Sequence, residues 1–281
     1  MKRIGIIGAA AALAAGLSIA VPGALALAAG SAATTRATTA LPVMTITMNG
    51  KTITVSGALQ SGAVEVVSKV TKEPQGDPTL IRLDPGVTES QLLAAASGDP
   101  NNIALIASIV FSPQANKGTS KAQAYLQPGN YVAADLASSA QIPPLTTFVV
   151  AASSAPAKLP KPKAAMYSIE FGFRGPGTLH DGQLVRFGNH GYLVHMMVAI
   201  RAHSKAGAKQ IARLLLEGKQ GKAQKLATAE YSFFNVLTHN QSEQQVVSNQ
   251  PGYWVLACFM NTQDGRDHTQ LGMERVIRIV K

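Results

Sequence analysis

The 281-residue sequence has one cysteine, one tryptophan and no histidine before position 180. A single cysteine, Cys258, rules out a disulfide within the chain. No apolar run after residue 21 is long enough to span a bilayer. There is no Gly-x-Ser-x-Gly, so the nucleophile elbow of a serine hydrolase cannot be built. No glycine-rich nucleotide loop occurs in a strand–helix–strand context, and no His-x-His pair is present. Basic residues do not form a stripe interleaved with aromatics, which argues against nucleic acid as a partner.

The first residues carry the pattern of an export signal. Lys2 and Arg3 precede an apolar run from Ile4 to about Val21, Pro22-Gly23 breaks it, and Ala24-Leu25-Ala26 offers a small-residue cleavage site. Residues 1–26 therefore read as a signal peptide, with a retained membrane anchor as the alternative. The absence of cysteine there excludes lipid anchoring. Residues 27–42, rich in Ala, Thr, Ser and Gly, read as a flexible tether. The expected location is outside the cell or in its envelope, with no membrane span after cleavage.

An exported protein commonly pairs its cysteines, so a lone thiol needs another explanation. It is buried and inert, or it ligates a metal, or it links two chains. Charge is also uneven. Residues 43–150 hold 6 basic and 7 acidic residues, whereas 166–281 hold 13 and 8. The second stretch is thus net basic, which favours anionic partners such as a cell-surface component, or is simply a solvated basic surface.

Two stretches share one plan. Leu126-Gln-Pro-Gly-Asn-Tyr-Val-Ala-Ala-Asp135 parallels the segment that ends Pro251-Gly-Tyr-Trp-Val-Leu-Ala-Cys258, each a Pro-Gly turn followed by an apolar strand. Gly62 before Ala-Val-Glu-Val-Val matches Gly182 before Gln-Leu-Val-Arg-Phe at a similar offset. Each copy then has a short helix. Thr88 and Gln91 suggest a capping box in the first, and Ser204 opens the second, which Gly218 stops. Ala151 to Ala165 contains Pro-Lys-Pro-Lys and cannot join a sheet, so the boundary falls at 151–165. Met44–Met48 and Lys51–Val55 alternate around Asn49-Gly50 as a hairpin. Short strands between turn signals indicate an all-β protein of two tandem β-sandwich domains, 43–150 and 166–281, each with one short helical insertion.

All six histidines, at 180, 190, 195, 203, 239 and 268, lie in the second copy. Gly182 to His195 reads as a strand, a turn at Asn189–Gly191, and a histidine opening the next strand. Cys258 ends a later strand; Asp264-Gly265 turns the loop; His268 and Met273 return before the last strand. His190 in its turn is expected to be exposed. His180, His203 and His239 have no matched partner spacing.

This order of strand–turn–His, then Cys, His and Met before the final strand, resembles the cupredoxin (blue-copper, plastocyanin-like) family, and in particular exported bacterial members. The resemblance implies a Greek-key β-sandwich and one type 1 copper ion per chain. His195 and His268 would supply imidazoles, Cys258 the thiolate and Met273 a weak axial thioether. It further implies one-electron transfer or copper handling, with a redox partner, and no bond-making catalysis. The separation of ten residues between Cys258 and His268 is longer than in small family members. In the first copy Asp135 stands where Cys258 stands in the second, so 43–150 is expected to hold no metal. Zinc at His195, Cys258 and His268 is an alternative occupant. A metal-free binding or structural module of the envelope is the reading from a different class.

Overall fold

The chain is represented by a computed structural model that describes residues 40–281 apart from 98, 139, 141, 248 and 249. The signal peptide expected at 1–26 and most of the tether expected at 27–42 lie outside the described residues. Among those described, no helix is long and apolar enough to cross a membrane.

Strands β1 (Val43–Met48) and β2 (Ile53–Gly57) are followed by β3 (Gly62–Gly76) and β4 (Pro78–Leu83). Helix α1 (Glu89–Ala96) and a 3-10 turn (Pro100–Leu105) precede β5 (Ala107–Phe111), β6 (Ala115–Leu126), β7 (Gly129–Asp135) and β8 (Leu145–Val150). The chain continues as β9 (Ala164–Ile169), β10 (Gly172–Arg174), β11 (Thr178–His180), β12 (Leu184–Asn189) and β13 (His195–Ala202). Helices α2 (Lys205–Leu216) and α3 (Gln220–Leu226) then lead to β14 (Ala227–Leu237), β15 (Ser242–Val246) and β16 (Gly252–Ala257). A second 3-10 turn (His268–Leu271) and β17 (Glu274–Val280) finish the chain.

The protein is an all-β sandwich with few helices, as the strand-and-turn punctuation indicates. In β1, Met44, Ile46 and Met48 are buried while the threonines between them are half-exposed. Asn49 Oδ1 accepts the N–H of Lys51 and of Thr52, and Gly50 takes φ +79°, which closes the β1–β2 hairpin. The Thr88–Gln91 capping box starts α1 with both reciprocal bonds present. Ser204 caps α2, which buries Ala208, Ile211 and Leu215 against the sheet. Where one helical insertion was expected in the second copy there are two. Helix α3 buries a single side chain, Ala223, and has no side-chain cap, so its sequence carries no apolar stripe to announce it.

Three sheets form. One runs β10-β9-β12-β15-β6-β3-β1-β2, and thus passes from the second half of the chain into the first where Glu243 and Gln244 of β15 pair with Ala124 and Gln123 of β6. These two residue pairs join the edge of β15 to the edge of β6 at the seam. The other two sheets are β5-β4-β7-β8 and β11-β17-β16-β13-β14. One hydrophobic core lies wholly within the first half, around Met44, Ile46, Leu80, Phe111 and Tyr131. A second draws on both halves: Ile81, Leu92, Ile103 and Ile109 pack in the same cluster as Phe187, Met197, Trp254 and Cys258, while a third packs α2 on β13 and β16.

At the seam the polar groups are buried and paired. The Ser112 N–H donates to Glu243 Oε2 at 2.8 Å, Ser112 Oγ donates to Asp77 Oδ1 at 3.1 Å, and the Asp77 N–H donates to Asp135 Oδ1 at 2.9 Å. Asp135, at the end of β7, is an acceptor within this network.

Candidate metal centre

Three strand ends and one loop build the centre. His195 opens β13, and Cys258 directly follows β16, its neighbour in the sheet. His268 stands on the 3-10 turn before β17, which pairs with the other side of β16. All three side chains are buried, at 0–1% exposure, so no water shell competes for their donor atoms.

The ten-residue separation between Cys258 and His268 is absorbed by a small exposed turn. The Thr262 N–H donates to Arg266 O and the Gly265 N–H to Thr262 O. At the base, Asn261 Nδ2 donates to Asp267 Oδ1 at 2.8 Å, and the His268 N–H donates to Met260 O at 2.8 Å. Asp267 and Gln270 then form a capping box over the 3-10 turn, and Gly272 ends it at φ +92°. Residues 262–266 therefore bulge away, and His268 is returned beside Cys258.

The resulting distances are short. His195 Nδ1 lies 3.1 Å from His268 Nδ1, and Cys258 Sγ lies 3.3 Å from His268 Nδ1 and 4.0 Å from His195 Nδ1. The point equidistant from these three atoms lies about 2.1 Å from each. That matches the length of an imidazole–metal bond, roughly 2.0–2.1 Å, and is slightly less than a thiolate–metal bond, roughly 2.3 Å. The donor set and its spacing thus fit a transition-metal ion. Among the described residues this is the one group of three or more His, Cys, Asp or Glu close enough to hold an ion.

Met273 is fully buried in the same core. Its N–H donates to His268 O at 3.1 Å, and its carbonyl accepts from the Cys258 N–H at 3.2 Å, so its backbone ties the cysteine to the second histidine. The remaining histidines stay apart from the group. His190 is exposed and stacks on Tyr167, and His239 stacks on Tyr192 and bonds Gly191 O.

Burial sets the protonation of these three groups. It pushes the Cys258 thiol up to about 12, against the lowering effect of the Met196 and Met260 N–H groups. It pushes the His195 imidazole down to about 4, with the facing His268 lowering it further. Burial also lowers His268. At neutral pH the three groups are a thiol and two neutral imidazoles, ready to ligate once one proton leaves.

The segment leading into His195 is held by side chains. The Gly191 N–H donates to Asn189 Oδ1 at 2.8 Å, and the N–H groups of Tyr192 and Leu193 donate to Glu170 Oε1 at 2.6 and 3.1 Å. The Val194 N–H donates to Asn101 Oδ1 at 2.8 Å. Four consecutive backbone donors thus meet side-chain oxygens, which fixes the strand entry without a ladder partner. Asn101 Nδ2 also reaches Asn261 O, at 3.5 Å, in the loop after Cys258. Glu170 and Asn101 were not singled out in the sequence. They lie 25 and 94 residues before His195, and neither sits in a motif that points to it.

The chain matches no family profile and no curated protein. Among solved structures it overlaps a reduced auracyanin from the photosynthetic bacterium Roseiflexus castenholzii at 16% identity, over 42% of this chain and 95% of that one, with TM-score 0.27. A Cu-containing nitrite reductase from Thermus scotoductus overlaps at 10% identity, over 85% of this chain and 67% of that one, with TM-score 0.25. A multi-copper oxidase from Pseudomonas thermotolerans overlaps at 12% identity, over 85% and 67% respectively, with TM-score 0.22. At these scores no family is assigned.

Bond-making catalysis was set aside on the sequence, yet the overlapping structures include a nitrite reductase and a multi-copper oxidase, which are enzymes. The missing nucleophile elbow and His-x-His pair exclude two particular machineries. They do not exclude turnover at a single redox centre, and a fold does not separate carriers from enzymes.

Proposed function

We propose that this chain is an exported cupredoxin-like protein that binds one copper ion through His195, Cys258 and His268. Met273 would contribute a thioether, and the ion so held would serve one-electron transfer or copper handling. The observation that carries the reading is the triangle of buried donor atoms, two Nδ1 and one Sγ, with an ion-sized centre. Thiolate, thioether and imidazole together accommodate both copper oxidation states, and this mix favours copper over zinc. Bound copper supplies a one-electron couple. The chain's own residues hold the geometry: the capped 3-10 turn places His268, the bridged loop base places it beside Cys258, and the shared core keeps water out.

The first half is read as a second copy of the plan without a site, since Asp135 ends β7 as Cys258 follows β16, and β7 lies between β4 and β8 as β16 lies between β13 and β17. Its function is to cover and brace the centre, as Asn101 does. The signal-like N-terminus supports export to the cell envelope or beyond. The basic second half supports an anionic cell-surface component or an acidic redox partner.

Loading the purified mature protein with Cu(II) tests this. One equivalent is expected to bind with a strong visible thiolate-to-copper band, and Cys258→Ser is expected to lose the band. Reversible voltammetry of the loaded protein then supports electron transfer, whereas bound copper without a reversible potential supports capture. A wild-type protein that stays colourless and takes up no stoichiometric copper is instead the metal-free envelope module.

A further inference from the structure

The two-residue turn between β9 and β10 consists of Glu170 and Phe171, and it lies against both imidazoles. Ile169 pairs with Gly172 across it. Phe171 takes φ +53°, a left-handed conformation that bulky side chains rarely adopt. Its ring meets His268 edge-on, with centroids 5.3 Å apart and planes at 85°. Strained positions of this kind persist where the surroundings hold them, and they cluster at working sites.

Glu170 faces the other histidine. Its Oε1 accepts the N–H groups of Tyr192 and Leu193 and lies 3.5 Å from His195 Nε2. His195 Nε2 is buried and has no hydrogen-bond partner, so the nearby carboxylate is the charged group turned towards it. Gly191 passes so close that a Cβ there would sit 2.6 Å from His195 Nε2 and 2.8 Å from Glu170 Oε1. Only a residue without a side chain lets these two groups face each other.

We infer that Glu170 is a positioning residue of the centre, which fixes His195 with Nδ1 turned to the ion and places a negative charge behind the ring. This rests on the copper reading above. A carboxylate behind a ligating imidazole favours the Nε2–H tautomer and leaves the Nδ1 lone pair free. It also stabilises the more positive oxidation state of whatever the ring binds. The carboxylate is 38% exposed, so solvent screens part of its charge.

Two variants separate the roles. Glu170→Gln keeps an oxygen to accept the Tyr192 and Leu193 N–H groups but removes the charge. Its preference for Cu(II) over Cu(I) is expected to fall about tenfold, which raises a one-electron potential by about 59 mV. The melting temperature of the metal-free form is expected to stay unchanged. In metal-free Glu170→Ala, the 15N shifts of His195 are expected to lose the Nε2–H preference seen in the wild type. An unchanged potential in Glu170→Gln together with an unchanged tautomer in Glu170→Ala overturns the inference. If the wild type binds no copper the functional reading fails, while the tautomer comparison still decides the role of Glu170.

Discussion

Copper binding is expected to release one proton per ion at neutral pH, so that affinity rises about 100-fold between pH 6 and 8. The reason lies in the ionisation of the metal-free ligands. Burial holds the Cys258 thiol near 12, so it is protonated across this range and must lose its proton to ligate. The imidazole of His195 is held down near 4 and burial lowers that of His268 too, so at neutral pH the thiol is the group with a proton to displace. One proton per ion means one factor of ten per pH unit. Competition against a chelator whose own pH dependence is known measures the slope. A slope near zero would mean a preformed thiolate, and a slope of two or more would mean that the histidines are charged in the free protein. Below pH 4 the slope should steepen as His195 protonates.

The second large effect is on stability. The metal-free protein is expected to lose on the order of 2 kcal/mol of stability between pH 6 and pH 8. Burial raises Asp77 from its ordinary 3.8 to about 8 and Glu243 from 4.5 to about 7. Both folded values lie above the unfolded ones, so the folded state binds more protons. The stabilisation is full below pH 4 and is lost as pH rises through 7 and 8. Half-buried Glu274, raised to about 7, acts in the same direction. The buried histidines act oppositely: their lowered values remove stability as pH falls from 6.5 towards 4. The carboxyl groups therefore act alone only above pH 6.5. A shift of 2 kcal/mol corresponds to a fall in Tm of roughly 4–8 °C for a chain of this size. Asp77→Asn keeps an acceptor for Ser112 Oγ without the ionisation, and its Tm should be flatter between pH 6.5 and 8. A wild-type Tm that rises over that interval would show that the seam carboxyls ionise without cost.

These two effects differ in how visible they are in the sequence. The cluster of His195, Cys258 and His268 was legible because each belongs to a residue type with few other uses in an exported chain, and each sits near a strand end that turn signals mark. Cys258 was conspicuous by being alone. The β1–β2 hairpin and the α1 and α2 caps were legible because Asn49-Gly50, Thr88–Gln91 and Ser204 act on their own neighbours. What supports the centre was not legible, because it comes from far along the chain. Asn101 reaches the entry to His195 from the first half, and Glu170 reaches it from a hairpin turn whose sequence, Glu-Phe-Gly, suggests nothing unusual. The junction of β6 with β15 was equally hidden, since neither strand's alternation states which edge it will meet. The long loop does not separate His268 from Cys258: Asn261 pairs with Asp267, and the extra residues form their own turn.

Copper is expected to be held jointly by His195, Cys258 and His268. X-ray absorption of the protein loaded with one equivalent of copper measures that directly. The predicted spectrum has one sulfur at about 2.3 Å and two imidazole nitrogens at about 2.0 Å, with the sulfur lost in Cys258→Ser. A first shell of nitrogen and oxygen alone in the wild type would contradict it.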